Sequence, residues 1–205
     1  MEKAERIKLY DFSSSPNCQR VKIVLHEKKL PFQIIPINIR KNEQKSPAFL
    51  KLNPYGKVPA IIDEETVLYE SCIINEYLDE KYPEPPLMPK DPALRGKIRI
   101  LIEYGLNHLE IPYQTLRHQL MKGDSERDQQ LVENKKKELR ELLRRLEGDI
   151  GEKPYFVGDS SLADVALITR FLRLEAMAVL PFIPLPQLGR WLERMRNRPS
   201  VRSII

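Results

Sequence analysis

Two rhythms of apolar and polar positions run along the chain, and the change between them divides it. Up to Tyr82, strand-like runs alternate with helical spacing. Ile7 to Tyr10 predicts a short strand. Val21, Val24 and Leu25 recur at helical intervals within Pro16 to Lys29. Phe32 to Ile39 is rich in β-branched residues and predicts a strand. Ser46 to Leu52 predicts one or two helical turns. Ala60 to Ile62 and Val67 to Tyr69 predict two strands joined across Asp63-Glu64-Glu65-Thr66. Ser71 to Lys81 predicts a helix with Ile74, Tyr77 and Leu78 on its core face. The predicted order is βαβ-α-ββα.

Proline-rich Tyr82 to Pro92 cannot be regular structure and predicts a linker. Beyond it the rhythm is helical throughout. Asp91 followed by Pro92 is a strong helix start, and that helix is expected to reach about Lys122. Gly123-Asp124-Ser125 interrupts it, and Glu126 to Glu147 predicts a long amphipathic helix. Asp164 to Val179 is almost uninterruptedly apolar and predicts a buried central helix. Leu188 to Asn197 predicts another, ended by Pro199. Ser161-Leu162-Ala163-Asp164 has capping-box spacing, with Asp in place of Glu, which makes Asp164 a structural acid rather than a catalytic one. The expected organisation is residues 1–82, a linker at 83–90, and an all-helical domain at 91–205.

Composition narrows the class. The 205 residues are 41% hydrophobic and 31% charged, ordinary for a soluble globular protein. The net charge of +5 invites a nucleic-acid reading. Basic and acidic residues are interleaved, however, as in Glu133 to Glu147, so solvated helix faces are expected and nucleic acid is not. Cys18 and Cys72 lack metal spacing and a disulfide framework, which fits a reducing compartment. Met1 to Lys8 is charged, with no apolar leader core, and no apolar run approaches the roughly 18 residues of a membrane span. A cytoplasmic protein without membrane association is expected.

The chemistry concentrates in Asn53-Pro54-Tyr55-Gly56-Lys57-Val58-Pro59-Ala60 and in Glu70-Ser71. Pro59 cannot donate to a ladder and belongs at a strand start. A cis Val58–Pro59 bond is expected there. It would turn the Val58 N–H and C=O outward, where they could hold an extended peptide as an added strand. Glu70 and Ser71 fall where a strand ends and a helix begins. Unpaired N–H groups and the helix dipole make that spot fit for a carboxylate. A small peptide with a free carboxylate is the ligand class these features imply.

Four anchors stand in order along nearly the whole chain: Ser15-Pro16-Asn17-Cys18-Gln19-Arg20-Val21, Asn53 to Pro59, Glu70-Ser71, and the Ser161 to Asp164 box. With the βαβ-α-ββα order, the linker and the helical second part, they make the chain resemble the soluble glutathione transferase superfamily with a serine-type site. The resemblance implies an α/β thioredoxin-like N-terminal domain that binds glutathione, and an all-α C-terminal domain forming most of the electrophile site. It implies that Ser15 activates the glutathione thiol, with Ser14 and Cys18 as alternatives. It assigns Val58 to the cysteinyl unit and Glu70 and Ser71 to the γ-glutamyl end. Gln44, Lys45 and Lys57 are assigned to the glycyl carboxylate. Arg20 could approach the ligand, although an interdomain ion pair is the expected use, and Cys72 is expected to pack. Phe12 and a helical face carrying Tyr104 and His108 would line the electrophile site.

The implied function is attack of glutathione thiolate on a small hydrophobic electrophile. Glutathione is then a co-substrate, no metal or bound cofactor is needed, and a homodimer is expected. The alternatives on the same scaffold are a glutathione-dependent isomerase, dehalogenase, peroxidase or disulfide reductase, or a non-catalytic interaction protein. Maleylacetoacetate isomerases resemble the chain but carry Ser-Ser-Cys before their first helix, where Pro16-Asn17 stands here.

Overall fold

The computed structural model describes residues 7–177 and 184–205. The chain divides into two compact units, Met1–Leu87 with Arg198–Ile205, and Met88–Asn197.

The first unit opens with β1 (Ile7–Asp11), α1 (Pro16–Glu27) and β2 (Phe32–Pro36). It continues through two 3-10 turns, Ile39–Lys41 and Glu43–Lys45, into α2 (Pro47–Leu50), β3 (Ala60–Asp63), β4 (Thr66–Tyr69) and α3 (Ser71–Lys81). The four strands stand in the order β2-β1-β3-β4. β1 and β2 run parallel; β3 is antiparallel to β1 and to β4. This is the thioredoxin-like arrangement expected from the sequence.

Its core is built from the alternate residues of β1 and the inner faces of α1 and α3. Leu9, Val21, Val24, Leu25, Ile61, Ile74 and Leu78 are fully buried. Each such side chain contributes about 1.5–3 kcal/mol. That is enough to hold α3, whose 11 residues would be marginal as an isolated helix.

β2 is shorter than the predicted Phe32 to Ile39. The Asn38 side chain accepts from the N–H groups of Arg40 and Lys41, which turns the backbone into the first 3-10 segment. α1 stops at Glu27, because Lys29 enters the left-handed region at φ 52°.

The second unit is helical: α4 (Pro92–Glu103), a π-helical turn (Tyr104–Leu109), α5 (Glu110–Leu120), α6 (Gln129–Ile150), α7 (Leu162–Ala176) and α8 (Pro186–Arg196). Asp91 caps α4, accepting from the Ala93 N–H at 2.9 Å. The helical run then continues almost to the expected Lys122, with the π turn in its middle. There Gly105 lets Leu167 of α7 close in: a Cβ at Gly105 would lie 3.1 Å from Leu167 Cδ2. α6 starts three residues later than expected, since Asp128 supplies the cap, accepting from the Leu131 N–H at 2.9 Å. Of the predicted Asp164 to Val179 helix, positions 178–179 lie outside the described residues.

The Ser161 box folds as its spacing requires. Asp164 is fully buried. Its carboxylate accepts from the Ser161 N–H and hydroxyl, the Phe156 N–H, and Trp191 Nε1 at 2.8 Å. Burial drives its carboxyl above the usual range while these donors pull it back.

At two places the grouping of residues departs from the expected one. The fully buried Lys28 ammonium pairs with Asp79 at 2.7 Å and donates to the carbonyls of Tyr82 and Pro85. Asp79 in turn accepts from the Leu87 N–H. This grip draws the segment through Leu87 into the first unit. Pro199, expected only to end a helix, opens α9 (Pro199–Arg202), as proline does at a first helical position. α9 belongs with the first unit because Arg198 donates to both Glu27 carboxylate oxygens, at 2.7 and 2.6 Å, and Ser200 also donates to Glu27.

Candidate active site

The site grows from two helix starts and one turn of the first unit. Ser15 caps α1 with extended backbone (φ −77°, ψ 121°), and Pro16 fills the first helical position. The Ser15 N–H is spent on the Phe12 carbonyl at 2.8 Å. Its hydroxyl oxygen accepts the Cys18 N–H at a long 3.4 Å. The half-buried hydroxyl also faces the Cys18 thiol, and its one proton is the donor it can turn to an incoming acceptor. A group at this position meets the positive end of α1 as well as a hydroxyl donor.

Cys18 is fully buried. Burial pushes its thiol up to about 12, even with the Phe12 backbone and the Ser15 hydroxyl acting the other way, and the nearby Asp11 carboxyl adds to the rise. Such a thiol is not a nucleophile near neutral pH. Asp11 is itself buried and paired with Lys22 at 3.2 Å. Beside this helix start lies an open cavity of about 600 Å³ walled by apolar Phe12, Ile34 and Ile37 and by charged Asp11, Lys22 and Arg40. Phe12, expected at an electrophile site, borders this cavity together with Ser13 and Ser14.

The turn before β3 is held by the buried Asn53. Its side chain accepts from the Tyr55 N–H and donates to the Lys57 carbonyl at 2.6 Å. The Val58–Pro59 bond is cis, as expected. Among the described residues nothing takes up the Val58 N–H or C=O, so that edge is available to an extended peptide. Gly56 sits at φ 59°. A Cβ there would fall 2.7 Å from Lys45 Nζ and 2.9 Å from the Gln44 carbonyl. This close approach brings Gln44 and Lys45 against Gly56, in the turn that precedes Lys57 and Val58. Lys45 spends one donor on the Tyr55 carbonyl at 3.2 Å. Lys57 is exposed and has no ion pair among the described residues.

Gly56→Ala is accordingly expected to cost about 1–3 kcal/mol of stability, from the positive φ and the crowding together. It should also weaken peptide binding by displacing Lys45. Denaturant melts and a glutathione titration of the variant check this; unchanged values for both would contradict the geometry.

β4 ends at Tyr69, and Glu70 turns the chain into α3 with φ 68° and ψ 107°. A glutamate in this region is strained, which is common where a backbone must present groups to a ligand. Its exposed carboxylate makes no capping bond. Ser71 is buried and accepts from Arg20 Nη1 at 2.9 Å. The same nitrogen lies 3.3 Å from Cys72 Sγ. Arg20 therefore does not form the expected ion pair: among the described residues its bonds go to the start of α3. Sequence reasoning missed this link, and no local pattern signals it.

In the helical unit, Tyr104 and His108 share a face, with ring centroids 5.2 Å apart. Tyr104 is buried, however. Its hydroxyl donates to the Leu142 carbonyl of α6 at 3.1 Å, and Arg145 stacks on its ring. This tyrosine packs one helix on another. His108 is exposed.

Comparison with known proteins agrees with this geometry. Residues 9–86 match the glutathione S-transferase N-terminal domain and residues 108–199 the C-terminal domain. The chain is 31% identical to glutathione S-transferase 3 of Zea mays over 97% of its own length and 93% of the relative's. It is 34% identical to a stringent starvation protein A homolog of Haemophilus ducreyi over 78% and 71% of the two chains. A glutathione transferase from Burkholderia graminis, solved with two glutathione molecules bound per subunit, superposes with a TM-score of 0.88 at 28% identity, covering 100% of this chain and 89% of that one. Site geometry, domain matches and full-length likeness converge: the chain belongs to the glutathione S-transferase family.

Proposed function

We propose that the protein is a serine-type glutathione transferase in which Ser15 holds the glutathione sulfur as thiolate for attack on a small hydrophobic electrophile. The carrying observation is the half-buried Ser15 hydroxyl, which accepts one weak bond and stands at the positive end of α1. A free thiol of pKa about 8.5 is mostly protonated at neutral pH. A hydroxyl donor and a helix N-terminus both favour the anion. The open Val58 edge takes the cysteinyl unit, Glu70 and Ser71 the γ-glutamyl end, and Gln44, Lys45 and Lys57 the glycyl carboxylate. Phe12 and its cavity receive the electrophile, with His108 as a candidate from the helical unit and Tyr104 withdrawn from that role.

The buried Cys18 thiol weighs against disulfide reduction. A second reading is a transferase-like binding protein without turnover, which the same fold and the open Val58 edge would also serve. Glutathione-dependent turnover on a panel of aryl halides, peroxides and mixed disulfides separates the two. Conjugation of an aryl halide is the expected result, whereas glutathione binding with no turnover on any member would favour the second reading.

A cytoplasmic homodimer completes the proposal. Among the described residues no helix is long and apolar enough to cross a membrane. Ile73 on α3 is 58% exposed and Ile111 on α5 62%, apolar surface that a partner copy would cover. Sedimentation equilibrium at micromolar concentration should give twice 24.0 kDa, and a single species at 24.0 kDa would exclude the dimer.

A further inference from the structure

The cavity beside Phe12 carries a charge that the proposed function leaves unused. Phe12, Ile34 and Ile37 supply its apolar wall. Ile34 is 47% exposed on β2, a strand at the edge of the sheet, so an apolar body resting there gains burial that the free protein leaves unmade. Three charged residues complete the wall: Asp11, Lys22 and Arg40. Two of them neutralise each other. Asp11 is buried, and the Lys22 ammonium lies 3.2 Å from its carboxylate. Arg40 is exposed, permanently charged, and has no carboxylate partner among the described residues. The wall thus holds one unmatched charge, and it is positive.

The backbone that carries Arg40 is held in place. The Ile37 N–H donates to the Asp11 carbonyl at 2.7 Å, which ties the segment after β2 to the end of β1. The Asn38 side chain accepts from the Arg40 and Lys41 N–H groups at 3.1 and 3.3 Å, closing the first 3-10 turn. Glu43, the nearest acid along the chain, accepts from the Asn38 N–H at 2.6 Å. Arg40 is therefore anchored at the cavity wall, while its long side chain keeps the reach to meet an occupant. A guanidinium offers a planar fork of N–H donors and no acceptor, which matches a carboxylate.

We propose that Arg40 is a specificity-determining residue, and that the electrophile taken by this cavity is an apolar body carrying a carboxylate that Arg40 receives. The inference rests on the glutathione transferase reading above and deepens it, since it names the class of acceptor. With a chlorinated nitrobenzoate, the thiolate sulfur forms a bond to the ring carbon that bears chlorine. Chloride leaves with the electron pair of the broken C–Cl bond, and the thiol proton goes to solvent. The ring carboxylate takes no part in these changes and serves only to hold the ring.

The test uses 4-chloro-3-nitrobenzoate and its neutral twin 4-chloro-3-nitrobenzamide, each rate divided by the uncatalysed rate with glutathione. Isothermal titration of the full chain with the two S-arylglutathione products reads the same preference without turnover. Wild type should favour the carboxylate member about threefold or more at low salt, in KM and in product Kd, and added salt should shrink the ratio. Arg40→Gln should bring the ratio to about one and leave the amide member and glutathione itself within about twofold. Lys41→Gln removes the same charge from a neighbour that does not line the cavity, and should keep the wild-type ratio. If neither twin turns over, the product affinities decide alone. A wild type without preference, a preference that survives Arg40→Gln, or one that Lys41→Gln removes as fully would overturn the role of Arg40. Wild type binding neither glutathione nor either product would instead overturn the glutathione reading, and this inference with it.

Discussion

Replacing Ser15 by alanine is expected to lower kcat at least about tenfold while leaving the affinity for glutathione within about twofold. The hydroxyl acts on sulfur, whereas Val58, Lys45, Glu70 and Ser71 hold the rest of the peptide. A hydrogen bond to a charged group is worth roughly 1.5–3 kcal/mol, and its loss falls on the thiolate. Ser15 also caps α1, so a fall in activity could reflect a damaged helix start. The magnitudes separate the two effects. Removing a serine cap costs about 0.5–2 kcal/mol with alanine but only a few tenths with glycine. The cap bond here is long, at 3.4 Å. If the hydroxyl is what matters, Ser15→Gly loses as much activity as Ser15→Ala while keeping more of its stability. Full activity in Ser15→Ala together with loss in Ser14→Ala or Cys18→Ala would move the role to one of those neighbours. For Cys18 that outcome would also contradict its complete burial.

The largest stability effect is expected at Asp164. Asp164→Ala leaves the Phe156 and Ser161 N–H groups and the Trp191 indole N–H without their buried acceptor. Each unsatisfied buried donor costs about 1–3 kcal/mol. Part of that is recovered by relaxation, giving a loss on the order of 3–5 kcal/mol against a total of about 5–15 for a typical domain. Trp191 is the single tryptophan, so its fluorescence during urea unfolding reports the network directly. Asp164→Asn, which keeps an acceptor oxygen, should lose less. A loss below about 1 kcal/mol in Asp164→Ala would mean that the network is water-bridged or redundant.

The features legible in the sequence are those set by local chemistry. Asn53, Gly56 and Pro59 each have one conformational use, and together they specify the turn that frees Val58. Ser15-Pro16 and Ser161 to Asp164 are cap patterns whose spacing carries the geometry within a single helical turn. What escaped the sequence depends on partners far along the chain. Arg20 finds Ser71 across 51 positions, and no periodicity marks either member of that pair. Lys28 looks like a helix-end lysine, yet its ammonium is buried and gathers Asp79, Tyr82 and Pro85. Pro199 reads equally as a helix stop or a helix start, and only the Glu27 clasp on Arg198 and Ser200 decides for the start. Tyr104 shares one face with His108, as the four-residue spacing predicts. Helical spacing gives the face but not the neighbour, and the neighbour is α6.

The central claim is that the Ser15 helix start converts a bound thiol into thiolate, and the most direct measurement is the pH titration of the ultraviolet thiolate band of glutathione bound to the wild-type protein. The band should titrate well below the free-thiol pKa of about 8.5 and return towards that value in Ser15→Ala. Bound glutathione that titrates at the free value in both proteins would contradict the account.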